Sequence, residues 1–237
     1  MGIELSRESV PDATTLLKFR RLLLEHDLTR SLFEEINAQL SEQGLLMRKG
    51  TIVEATIIAA PSSTKNEGKT RDPEMHQTKK GKAWHFGMQA HIGVDAESGL
   101  VHSVIGTAAN VSDITQAGAL LHGDEAHAFG DAGYRGVDKP EEAHGPRWHV
   151  AMRPGTRRKL DLTRRWARLL KQAEHLKASV RAKVEHPFHV VKNLFRHKKV
   201  RYKGPAKNVA QLFSLFGLAN LVIAKRWLFE LDTRGAS

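Results

Sequence analysis

The chain has 237 residues, 41% hydrophobic and 27% charged: enough for one sizeable core and a small helical appendage, in the proportions expected of a soluble globular protein. It contains no cysteine, which excludes disulfides, thiolate metal sites and cysteine nucleophiles, and a reducing cytoplasm is the expected compartment. Of the +11 formal charge, residues 153–207 carry 18 Lys and Arg against three acids (Asp161, Glu174, Glu185), which points to a polyanion such as DNA or RNA; a solvated basic helix surface is the bland alternative.

Taken in chain order, residues 12–46 read as helical. "SVPDATTLLKFRRLLLEHDL" offers Ser9 or Asp12 as a cap, then Leu16, Phe19 and Leu23 at helical spacing; "SLFEEINAQLSEQG" stops at Gly44. "GTIVEATIIAAP", residues 50–61, is a strand over 51–59, apolar on both alternating faces and interrupted by Glu54. Residues 61–82 are polar, basic and punctuated by Pro and Gly, which predicts a loop. "AWHFGMQAHIGVDAESGLVHSVIG" predicts a hairpin turning around Asp95–Gly99. A short helix capped by Ser112 follows over 113–121, then a strand at "HAFG", a helical turn over 138–144 and a strand at "RWHVAMRP". Leu162, Trp166, Leu169, Ala173, Leu176, Val180 and Val184 recur at steps of three and four, predicting a long helix that Pro187 should kink or restart. A last apolar helix, "NVAQLFSLFGLANLVIAKRWLF", should cap the core. With no run of 18 apolar residues and no signal-like start, no membrane association is expected.

From residue 51 onward the order is β-β-β-α-β-α-β-α. That order fits a mixed sheet with helices on both faces, as in the ribonuclease H-like fold. Residues 1–47 are then a helical N-terminal region and 48–230 the α/β domain.

Three acids stand out. A lone ionised carboxylate such as Glu54, in a strand covered on both sides, is costly unless compensated. Asp131, in "AFGDAGYRG", lies just past a strand, where open α/β sheets carry their chemistry; an ordinary turn acid is the alternative. Glu185 shares a helical stripe with Arg181 and Lys192, and an exposed ion pair with Arg181 is the alternative there. In this topology the three acids can converge. Three carboxylates repel one another unless cations sit among them, and two Mg²⁺ ions about 3.5–4 Å apart suit hard oxygen ligands and phosphodiester chemistry.

Other signals are less specific. Tyr134 and Arg135 could touch DNA, or Tyr134 could pack. Trp84 is read as a packing residue, with stacking on a base as the alternative. Among the histidines there is no HExxH, and His186 and His189 are not an i,i+4 pair, so no zinc site is expected. No Walker or dinucleotide glycine motif is present, so no nucleotide cofactor is expected.

"GTIVEATIIAAPSSTKN", "WHFGMQAHIGVD", "DAGYRG" and "RAKVEHPFHVVKNLF…KVRYKG" closely resemble the DDE transposases of bacterial insertion sequences, of the family-five type, over nearly the whole chain. The resemblance implies a ribonuclease H-like core that cleaves DNA and transfers strands with two Mg²⁺, which Mn²⁺ can replace. It implies Glu54, Asp131 and Glu185 as the metal-binding catalytic triad. Arg181 and Lys192 match an Arg-x3-Glu-x6-Lys signature that contacts DNA phosphates. The implied partners are transposon ends and target DNA, bound by a homo-oligomer in the bacterial cytoplasm at the nucleoid. Two departures are visible in the motifs: the family's first acid is aspartate where this chain has Glu54, and a tyrosine often found three residues before the arginine is Ala178 here. The family's N-terminal helical region is usually longer, so an N-terminally truncated copy is expected. The alternative reading is a catalytically impaired DNA-binding fragment that represses transposition.

Overall fold

A computed structural model describes residues 11–46, 49–137 and 145–235, with the backbone path alone for 226–235. Two helices open the chain, α1 (Ala13–Glu25) and α2 (Leu28–Glu42). The Asp12 side chain accepts from the Thr15 amide at 2.6 Å and caps α1, and Gly44, at φ +72°, follows the end of α2. There follow β1 (Gly50–Ala59), β2 (His76–Lys80), β3 (Ala83–Asp95), β4 (Val101–Ala108), α3 (Asp113–Ala117), β5 (His127–Gly130) and β6 (Arg147–Val150). The chain ends in helices: α4 (Pro154–Arg158), α5 (Arg165–Arg181), α6 (Glu185–His189) and the long α7 (Pro205–Gly235). The helical turn expected over 138–144 lies outside the described residues.

The main run of the sheet is β4-β3-β1-β5-β6, antiparallel between β1, β3 and β4 and parallel between β1, β5 and β6. This is the mixed sheet of the ribonuclease H-like fold. The β-branched run of β1 suits the centre, where Ile52, Val53 and Ile58 are fully buried. β3 is long enough to pair with β1, β4 and, through its first five residues, β2. At Gly87 it crosses β1 so closely that a Cβ would stand 2.1 Å from the Ile58 carbonyl oxygen, so glycine is required there.

One face of the sheet packs on α7, α2 and α6, with Ile52, Ile92, Val94, Phe33, Leu212 and Phe216 in its core. The other face carries a smaller cluster of Val53, Ala117, Leu120 and Tyr134. A buried polar tie joins α2, α7 and β4: Asn220 Nδ2 donates to Asn37 Oδ1 at 2.8 Å and to the Val101 carbonyl at 2.7 Å. The stretch Pro205–Lys225 is long and apolar enough to cross a membrane by length and composition, yet Leu212, Phe216 and Ala219 are buried in this core.

One expectation is corrected. Residues 76–80, read as loop, form β2: a strand polar on both faces has no alternation to betray it, and it exists because its backbone pairs with β3 across the Gly81–Lys82 turn. The expected long helix forms as α5, and most of its stripe, which begins just before the helix, is left outside the core. Leu162, Trp166, Leu169 and Leu176 are 42–66% exposed, and Ala167 and Glu174 are the buried positions of this helix. The stripe meets the core below the helix, at Val184. Around Pro187 the helical path continues but changes winding, with a 3₁₀ turn over 182–184 and a π turn over 190–194.

Candidate active site

The parallel register of β1 and β5 pairs Ile52 with Phe129. Two residues further along each strand, on the same face, stand Glu54 and Asp131. They reach the end of the sheet where β5 stops. The helical path descending past Arg181 crosses this end, so Glu54, Asp131, Arg181, Glu185 and Lys192 line one open cleft of about 1180 Å³, together with Thr56 and Lys80.

Each member has a distinct environment. Glu54 Oε2 accepts from Arg181 Nη2 at 3.0 Å, and the two side chains are 18% and 21% exposed. Burial, and then the charge of Asp131, hold the Glu54 carboxyl above the usual carboxylate range against the pull of Arg181. Asp131 accepts from the Gly133 amide at 2.7 Å. Glu185 is exposed at the start of α6. Lys192 Nζ donates to Thr56 Oγ1, and its ammonium is pushed below its ordinary range by burial and then by Lys80, with Glu185 pulling the other way.

The three acids therefore meet in one cleft, but their carboxylates do not close into a single cluster. Among the described residues no three Asp, Glu or His side chains stand together as a ligand set for one ion. Like charges repel, and Glu54 and Asp131 each have another partner. The donor set nevertheless suits a hard divalent cation: two carboxylates on neighbouring strands, one of them held above its usual range in part by the other, with a third across the cleft.

Tyr134 is corrected from a DNA contact to a packing residue. It is fully buried, with its ring against the backbone of Gly130, and its hydroxyl has no hydrogen-bond partner. Burial, then Asp113, Glu54 and Asp131, push its ionisation up. It therefore braces the strand end that carries Asp131. Arg135 is exposed and lines a separate groove with Arg153, Glu174 and Lys177. Trp84, read as a packing residue, is 64% exposed.

Lys80, Thr56 and Asp113 were not singled out from the sequence. Thr56 had a signal, being two residues from Glu54 on one face of a strand. Asp113 accepts from Gln89 Nε2 at 3.0 Å, and its carboxyl is raised by burial and then by Asp131. His91 Nδ1 stands 3.7 Å from Asp113, but burial holds that imidazole down to about 4, so the two are not an ion pair at neutral pH.

Fold and cleft together define an α/β protein of ribonuclease H-like topology with acids gathered at its strand ends. The chain matches the model of the transposase DDE domain over residues 46–221 and belongs to that family. No solved structure matches it.

Proposed function

We propose that this transposase cleaves DNA at the ends of an insertion sequence of the family-five type and joins the freed 3′-hydroxyl to target DNA. The observation that supports it most is the register that sets Asp131 beside Glu54 in the cleft lined by Glu185, Arg181 and Lys192. Glu54, Asp131 and Glu185 would hold two Mg²⁺, or Mn²⁺ in their place. When bound, such ions activate an attacking oxygen and stabilise the leaving oxygen of a phosphodiester. Lys192 and Lys80, and Arg181 once it leaves Glu54, bind and orient the phosphate backbone by charge-assisted contacts. Arg135 lies outside the cleft and would meet DNA further along its path. The partners are the element's ends and target DNA, bound by an oligomer of this chain in the bacterial cytoplasm.

The test is a nicking assay on supercoiled DNA with Mg²⁺, Mn²⁺, Ca²⁺ or chelator. Nicking with Mg²⁺ or Mn²⁺ that Asp131→Asn removes is the expected result. Nicking that persists in chelator, or in that variant, would refute the reading.

A further inference from the structure

The β2–β3 hairpin is short of partners at its tip. Residues 79–84 are all exposed, and Trp84, at 64%, is a large aromatic ring left in solvent. A ring of that size would bury well in a core, so its exposure at a turn needs a reason. Gly81, at φ +62°, opens the two-residue turn and makes the tip narrow. Lys79, Lys80 and Lys82 crowd it, and no acid occurs from residue 76 to residue 94.

The two faces of the tip differ. Lys79 and Trp84 are cross-strand partners, so they share a face, and Lys79 Nζ stands 5.9 Å from the ring centroid. Lys80 falls on the other face and lines the cleft of the acids. A duplex led into the cleft would meet this narrow basic edge with one strand on each side. The strand on the cleft side has Lys80 for its phosphates. The other has an exposed aromatic ring with an ammonium beside it, the combination that holds an unpaired base and its phosphate.

Resting on the transposase reading, we infer that the hairpin tip is a wedge that opens DNA beside the cleft, with Trp84 stacking on an unpaired base of the strand that stays outside. The chemical class bound is a splayed duplex end. A second copy of the tip fits poorly, because it would bring three more lysines against these three.

The test uses the full chain and two fluorescein-labelled 20-base-pair probes, one blunt and one with six unpaired nucleotides on each arm, at low salt. The wild type should bind the forked probe about tenfold more tightly than the blunt one. Trp84→Ala should erase that preference while blunt binding and melting temperature hold, and Trp84→Phe should keep most of it. A 2-aminopurine in the outer arm should be quenched by the wild type and not by Trp84→Ala. A fork preference that survives in Trp84→Ala, or is lacking in the wild type, overturns the wedge and leaves the transposase reading standing. If the wild type binds neither probe, both fall. If Trp84→Ala changes only the oligomeric mass in light scattering, the ring belongs to a contact between copies and the inference is wrong.

Discussion

Along β1 stand two glutamates in opposite conditions, one buried beside the start of the strand and one half-buried at its middle. At the start of the strand, Glu125 accepts from Thr51 Oγ1 at 2.8 Å and from the amides of His122 and Gly123 at 2.7 and 2.8 Å. Burial pushes its carboxyl up, but these donors together hold it below its ordinary range. Further along, Glu54 has Arg181 and a long contact to its neighbour's amide, and faces the charge of Asp131, so its carboxyl is raised. Burial alone does not mark a functional acid. A carboxylate that fixes a loop is surrounded by donors, whereas one placed for a cation stands beside another carboxylate and is left short of them.

The largest effect that would break this contrast is on catalysis. Asp131→Asn should lower metal-dependent nicking by about 1,000-fold or more, the loss of several kcal/mol of charge stabilisation, with little change in melting temperature. A variant that nicks normally would make Asp131 an ordinary turn acid.

Next is acid stability at the site end. An unfolded chain protonates its histidine near 6.5, while folded His91 holds out until about 4, so between these values the unfolded state binds more protons. Stability is full above pH 6.5 and falls by on the order of 3 kcal/mol as pH drops towards 4. Urea titrations at pH 7 and pH 4.5 should show this slope, and His91→Gln should flatten it.

At the start of β1, Glu125→Ala should cost about 2 kcal/mol by orphaning buried donors, or roughly 5 °C in calorimetry, with nicking per folded molecule unchanged. Equal losses of stability from Glu54→Ala and Glu125→Ala would erase the distinction between the two glutamates.

The smallest effect sharpens it. Glu54→Asp retracts the carboxylate by roughly 1 Å, towards the family's residue at this position and away from Arg181, and should raise nicking by about tenfold. An unchanged or lowered rate in single-turnover kinetics would mean that the site is built for the longer side chain.

The sequence by itself determined the central strand, the hairpin around Asp95–Gly99, the strand before Asp131 and the apolar last helix, because each carries a local pattern that its own residues impose. It also marked Glu54, Asp131 and Glu185, since carboxylates stand out at a strand centre, a strand end and a helix rich in cations. Tertiary structure decided the rest. β2 is polar on both faces and is held by backbone pairing that leaves no trace in side-chain periodicity. The α5 stripe has perfect helical spacing, but spacing says that residues share a face and not that anything covers it. Tyr134 and Trp84 carry rings of similar kind, one fully buried and one left at a hairpin tip, and only the packing of distant elements separates them. Arg181 lies four residues from Glu185 in sequence yet pairs with Glu54, 127 residues away. Which of two acids a guanidinium meets is set by where the sheet and the helix cross, which no local pattern encodes.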